Sequence, residues 1–442
     1  MTVLERKNWK NSESGILLSM TNTVDENFLK NCKTFCVLPW IHLHGWPDGK
    51  VFPCCIADST MPVSYTNKNT ILDVMNSDRY KEIRVAMLND EPVKECSRCY
   101  ELEDYGVTTL RQSQNNRQGM KNLHSVNATS NDGTIDHFNM RYMDIRFSNF
   151  CNFKCRSCGP SCSSLWAQEH IDNDGADHLN QYFGMKKVII SNNEENVFFS
   201  KLTHHLDEVE EVYFAGGEII ITEEHYQCLD YWIANGRTNI DLNYTSNFST
   251  LKYKQKDLLA YWKHFKNVRV WASLDGMGKH AELIRKGTDW TRIEANIKRL
   301  REEAPNVKFS ITPTISLWNI YEFPKYFDYL IDKGYIDSNP GSVTGPRFNL
   351  CTWPSFANIG ILPQSEKDKL IKLYGEYRDK YSYMREFADG FTWIINALEQ
   401  GKTSIEELSE FFKYNDKLDT RRSEKWSDIM LDLGQLRERL KV

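Results

Sequence analysis

Short β-prone runs fall at 141–147, 211–214, 241–244, 268–272 and 307–311. Between them lie longer stretches, such as 226–234 and 290–303, in which apolar positions recur every three or four residues. Strands alternating with helices predict βαβ units, hence an α/β fold with a parallel sheet curled into a full or partial barrel. In such a barrel the residues that do chemistry sit where the strands end.

The flanking regions read differently. Residues 111–136 are rich in Asn, Gln, Ser and Gly with few apolar positions, the composition of a connector, and the chain after 365 is charged, glycine-poor and helix-prone. The expected organisation is a cysteine-rich N-terminal domain at 1–120, a linker at 121–137, the barrel at 138–355 and a helical C-terminal region at 356–442.

A hydrophobic content of 40% over 442 residues is enough for a sizeable core. The net charge of -5 and the lack of a Lys/Arg block give no indication of a nucleic-acid partner. No apolar run is long enough to span a bilayer and residues 1–10 are polar, so a cytoplasmic location with no membrane partner is expected. In a reducing compartment the 12 cysteines would not form a disulfide framework, and metal ligation becomes the leading explanation.

Cys151, Cys155 and Cys158 follow the first predicted strand with the spacing C-x3-C-x2-C, which puts three thiols in one tight loop. Three thiolates on a four-iron cubane leave one iron open to a small-molecule ligand. The motif resembles the signature of the radical S-adenosylmethionine superfamily, in which the methionine amine and carboxylate chelate that iron on a partial (β/α)6 TIM-like barrel. Ser157 stands where the family has an aromatic residue. Taken alone, the motif also fits a zinc knuckle completed by Cys162.

Further positions fit the resemblance. Gly216, Gly217 and Glu218 end the second predicted strand, where glycines permit close backbone approach and a carboxylate can accept hydrogen bonds from an amine. They resemble the family's Gly-Gly-Glu motif, with Ile219 in place of the usual proline. Ser246 and Asn247 follow the third strand, and Ser273 and Asp275 the fourth; the resemblance implies that they meet ribose hydroxyls. Arg285, in a run similar to the segment after Ser-x-Asp-Gly in peptide-modifying members, is implied to pair with the cofactor carboxylate. Alone, Gly-Gly-Glu is a common turn, and Asn247 or Asp275 reads as a loop or capping residue. Their order on successive strand ends joins them.

Upstream, Cys36, Gly49, Cys54 and the pair Cys96 and Cys99 resemble a twitch-type (SPASM-like) auxiliary site for a second 4Fe-4S cluster. Cys55 is an alternative to Cys54, and a four-thiolate zinc site is the alternative cargo. The module precedes the barrel here, whereas in most relatives it follows. His42 and His44 alternate along a predicted strand and read as one face of a hairpin. Cys228 and Cys351 read as buried structural cysteines, with a substrate-side role open for Cys351.

The resemblance therefore implies an enzyme that takes an electron from a donor such as a flavodoxin or ferredoxin, cleaves S-adenosylmethionine to a 5'-deoxyadenosyl radical, and abstracts hydrogen from a peptide or protein. A small molecule (sugar, nucleotide or cofactor precursor) is the second expected substrate class. A zinc-binding interaction scaffold is the reading of a different class. No residue is assigned a catalytic role in the hydrogen transfer itself.

Overall fold

The computed structural model describes residues 23–104, 108–193, 197–336 and 348–441, so the polar stretch at 1–10 lies outside it. The chain divides into two compact units, Met1–His44 with Lys50–Met140, and Gly45–Gly49 with Arg141–Val442.

In the first unit the strands Lys50–Phe52 and Ser64–Tyr65 pair antiparallel, with Val51 opposite Ser64, beside the strand His42–Gly45. The helix Asp78–Leu88 buries Tyr80, Ile83 and Met87. Its Arg84 is also fully buried, and the guanidinium donates to the carbonyls of Pro39 at 3.1 Å, Gly133 at 2.9 Å and Met75 at 2.5 Å. One cation thus joins three stretches of backbone whose carbonyls would otherwise be buried without donors.

Residues 111–136, expected as a connector, prove largely helical. Helical turns run Leu110–Gln114, Asn115–Gly119, Met120–Asn122 and Leu123–Asn127, opened by a capping box between Thr109 and Gln112. Arg111, Gln114, Asn115, Gln118 and Asn122 are buried. Asn115 accepts from the Val37 N–H at 2.9 Å and donates to the Phe35 carbonyl at 2.9 Å. Polar side chains occupy the interior there because they satisfy the backbone of a neighbouring loop, so hydropathy alone makes a buried segment look like surface.

The second unit is α/β with a parallel sheet. The strands Tyr142–Ile145, Glu211–Phe214, Asp241–Ser246, Asn267–Ala272 and Lys308–Ile311 lie side by side in chain order, all parallel. Their register brings the carboxyl ends to one edge: Phe214 lies opposite Tyr244, Ser246 opposite Ala272, and Ala272 opposite Ile311. A separate parallel pair, Thr314–Ile315 with Asn349–Leu350, follows.

The helix Trp290–Glu303 shows why the crossovers form. Asp289 caps it by accepting from the Arg292 N–H, and Trp290, Ile293, Ile297 and Leu300 fall on one buried stripe. The C-terminal region is helical over Gln364–Lys380, Arg385–Gln400, Ile405–Arg422 and Leu431–Leu440. Among the described residues, no helix is long and apolar enough to cross a membrane.

Candidate functional site

In the first unit Cys36, Cys54, Cys96 and Cys99 are all buried. Cys36 enters the short helix Leu38–Ile41 and accepts a hydrogen bond from the Leu38 N–H. Cys54 follows the strand Lys50–Phe52 in a turn that aims the N–H groups of Ile56 and Ala57 at its sulfur. Cys96 closes the turn Lys94–Cys96, and Cys99 lies in the helix Ser97–Asp104, where its sulfur meets the Arg111 N–H and the Thr109 hydroxyl.

Burial raises every one of these thiols, Cys36 to about 12; Cys36, Cys54 and Cys96 are raised further by the charge of others in the group, and Cys99 by that of Glu103. Cys36 feels Cys99; Cys54 feels Cys36 and Cys99; Cys96 feels the other three. The opposing charge is Arg111, which is paired with Glu103 and donates to the Phe35 carbonyl at 2.8 Å. Cys55 is only half-buried. Cys32 faces Asp90, its thiol donating to Oδ1 at 2.9 Å.

In the second unit the loop after the strand Tyr142–Ile145 carries Cys151 and Cys155, both buried around Phe153, with Cys158 packed against them. Burial raises Cys151, and the charges of Cys155 and Glu218 add to it. The segment at 284–287 backs the loop: Lys154 N–H donates to the Lys286 carbonyl at 2.9 Å and Arg156 N–H to that of Ile284 at 2.7 Å. Gly287 adopts φ +116 there, and a Cβ on it would lie 2.6 Å from the Phe153 ring.

The other strand ends converge on the same place. Glu218 is 1% exposed, and its carboxylate accepts from Ser246 Oγ at 2.8 Å, the Asn247 N–H at 2.7 Å and the Ile220 N–H at 3.3 Å. Burial outweighs those donors and lifts its pKa from 4.5 to about 7. Asn247 reaches the cysteine loop by donating to Asn152 Oδ1 at 2.9 Å. Ser273 donates its N–H to the Ser246 carbonyl at 2.8 Å. Asp275 accepts from Arg285 Nε at 2.7 Å and the Thr314 N–H at 2.8 Å, while Arg285 Nη1 lies 3.9 Å from Cys155 Sγ.

Cys162 is exposed and shares a hydrogen bond with Cys158, which lowers Cys162 to about 6 and raises Cys158. Cys228 is buried in the helix Glu223–Ala234. Cys351 is buried beside the strand pair, raised to about 11 by burial with the Asp275 charge contributing. His170, Asp174 and His178 have metal-ligand spacing, but Asp174 is already engaged by Arg421 at 2.5 Å.

The family model of an iron-sulfur cluster-binding domain, SPASM, matches residues 36–100. This stretch holds Cys36, Cys54, Cys96 and Cys99. Residues 36–100 are a SPASM iron-sulfur domain.

No curated protein matches the chain. Solved structures similar to it include native anSMEcpe with bound AdoMet, at 17% identity and a TM-score of 0.36, covering 55% of this chain and 60% of that one. Native anSMEcpe with bound AdoMet and Cp18Cys peptide matches at 15% identity and a TM-score of 0.33, covering 55% and 59%. TYW1 with a lysine-pyruvate adduct matches at 15% identity and a TM-score of 0.28, covering 53% and 70%.

The chemistry of the donor set fits the SPASM domain's cargo. Four thiols raised by burial hold their protons unless a cation displaces them, and cluster sulfurs are stabilised by backbone N–H groups like those aimed at Cys36, Cys54 and Cys99. Arg111, Thr109 and Asn115 support that domain from outside the matched stretch. They escape a motif search because they are ordinary polar residues without ligand spacing. Arg156, Asn152 and Thr314 escape it in the second unit for the same reason.

Proposed function

We propose that the chain is a radical S-adenosylmethionine enzyme, with a partial (β/α)6 barrel at 138–355 and a helical region at 356–442. The observation that carries this reading is that Cys151, Cys155 and Cys158 share one loop, with Glu218 and Asn247 reaching it from successive strand ends and Arg285 from the end of the helix Gly278–Ile284. A zinc knuckle has no use for a buried carboxylate, a set of polar side chains at successive strand ends and a guanidinium beside one thiol.

In this reading Cys151, Cys155 and Cys158 hold the 4Fe-4S cluster through three irons. When bound, that cluster supplies the electron that splits S-adenosylmethionine into methionine and a 5'-deoxyadenosyl radical, the cofactor carrying the difficult chemistry. The chain's own residues bind and orient. Glu218 accepts from the methionine amine, Ser246, Asn247, Ser273 and Asp275 define the ribose side, and Arg285 offsets the negative charge of the thiolates and draws in the cofactor carboxylate. Cys36, Cys54, Cys96 and Cys99 hold the auxiliary cluster.

The substrate class we propose is a peptide or protein, supported by the SPASM domain and by the run 280–297 that resembles peptide-modifying members. A flavodoxin or ferredoxin is the proposed donor, and the cytoplasm the proposed compartment, since every cysteine is free. The experiment is anaerobic reconstitution with iron and sulfide, addition of S-adenosylmethionine and dithionite, and assay of 5'-deoxyadenosine. Wild type forms it and Cys155→Ala does not; an iron-loaded wild type that forms none with any peptide offered overturns the proposal.

A further inference from the structure

The cysteine loop of the second unit is gripped from behind by the C-terminal region. Arg156, between the second and third cysteines of the motif, is 0% exposed. Its Nε donates to the Leu283 carbonyl at 3.2 Å, Nη1 to Asn415 Oδ1 at 2.8 Å, and Nη2 to Asp419 Oδ1 at 2.5 Å and Glu424 Oε2 at 2.8 Å. Its carbonyl accepts from the Tyr414 hydroxyl at 2.8 Å.

Asn415 and Asp419 stand one turn apart on the helix Ile405–Arg422, and Ser423, at φ +52, turns the chain so that Glu424 returns to the same guanidinium. These partners are themselves held. Asn415 Oδ1 also accepts from Trp318 Nε1 at 2.9 Å, and Glu424 Oε1 pairs with Lys286 at 2.8 Å.

The same helix reaches the other side of Cys155. Arg422 pairs with Glu169 at 2.8 Å, and Glu169 also takes Lys154 Nζ at 2.9 Å. The Arg422 guanidinium lies 4.7 Å from the Trp166 ring, whose Nε1 donates to the Cys155 carbonyl at 2.7 Å. Both neighbours of Cys155, and its own carbonyl, are therefore tied to the helix Ile405–Arg422 directly or through one residue.

A buried ion pair is a poor source of stability compared with apolar packing of the same volume, but it fixes direction, because every donor must meet its acceptor. We infer that 405–424 is a positioning element of the cluster loop, with Asp419 and Glu424 acting through Arg156 to fix where Cys155 and Cys158 present their sulfurs. This rests on the reading of that loop as the ligand set of the S-adenosylmethionine-binding cluster.

The test uses the full chain, reconstituted anaerobically, with iron content and the electron paramagnetic resonance spectrum of the reduced protein recorded before and after S-adenosylmethionine. The double variant Asp419→Asn with Glu424→Gln keeps shape and removes both charges. Arg437→Gln, which breaks the 2.7 Å pair with Asp416 on the same helix without touching Arg156, is the control for a merely structural loss.

The double variant is expected to retain the auxiliary signal and lose the spectral change that S-adenosylmethionine produces in wild type, whereas Arg437→Gln retains that change. Wild-type iron and a wild-type spectral response in the double variant overturn the inference. Should that protein not fold, Glu424→Gln alone is read by the same criterion. Cys155→Ala separates the two levels: if it keeps wild-type iron and spectrum, the assignment of the loop as ligand set fails, whatever the other variants do.

Discussion

Arg285 donates from Nε to Asp275 at 2.7 Å while its Nη1 lies 3.9 Å from the Cys155 sulfur, so one guanidinium ties the end of the strand Asn267–Ala272 to the cysteine loop. Burial opposes its charge, but the Asp275 carboxylate and the Cys155 thiol outweigh burial and hold it protonated. Asp275→Asn leaves the guanidinium buried without its carboxylate. The expected cost is about 3–5 kcal/mol of stability by denaturant unfolding, the usual penalty for orphaning a buried charge. Binding of S-adenosylmethionine, measured by calorimetry on reconstituted protein, weakens with it.

Glu218 gives the apoprotein a pH dependence of known sign. Its pKa rises from 4.5 to about 7 on folding, because burial outweighs its three donors. The folded state therefore binds its proton more tightly than the unfolded chain, and this group's contribution, complete below 4.5, is lost as pH rises through about 7. The difference is on the order of 3 kcal/mol. Unfolding of wild type and Glu218→Gln, measured from pH 5 to 8, is expected to show this fall only in wild type. In the loaded protein the sign reverses for the ligand, and S-adenosylmethionine affinity climbs across the same interval as the carboxylate forms.

Gly217 cannot take a side chain. A Cβ there would sit 2.2 Å from the Phe150 carbonyl oxygen, the atom that accepts the Glu218 N–H at 2.8 Å. Gly217→Ala must push back the backbone that leads into Cys151, at a cost of about 1–3 kcal/mol as in other overpacked sites. Iron uptake by the loop cluster falls with it. Gly236→Ala is the comparison: φ is +67 but nothing lies within 4 Å, so it pays only conformational strain of roughly 1–2 kcal/mol and leaves iron content unchanged.

Cysteine replacements separate ligands from bystanders. Cys96→Ala is expected to remove about four irons per chain, whereas Cys55→Ala and Cys32→Ala leave both clusters, Cys32 being committed to Asp90. Cys162→Ser tests the zinc-knuckle alternative. Retained iron and retained 5'-deoxyadenosine production place Cys162 outside the ligand set; a colourless, zinc-loaded wild type whose metal is lost in Cys162→Ser supports the knuckle instead.

Both cysteine groups and the parallel sheet are legible in the chain because spacing and periodicity are local. Strand 211–214 and helix 290–303 coincide with Glu211–Phe214 and Trp290–Glu303, since a buried strand reads as a short apolar run and an amphipathic helix as a stripe. The connector at 111–136 is not legible as structure. Its side chains answer the backbone of the loop bearing Cys36, and a polar residue that satisfies a buried carbonyl looks the same in sequence as one that faces water.

The sequence by itself determined that Cys151, Cys155 and Cys158 fall in one loop after the first strand of the parallel sheet, and that Glu218, Asn247 and Asp275 follow successive strands. Only the tertiary structure decided what holds them. Arg156 meets Asp419 across 263 residues of chain, and Asn247 meets Asn152 across 95. Such pairs are specified by folding that buries a cation where only one set of acceptors exists, and no local pattern records a partner that arrives through packing.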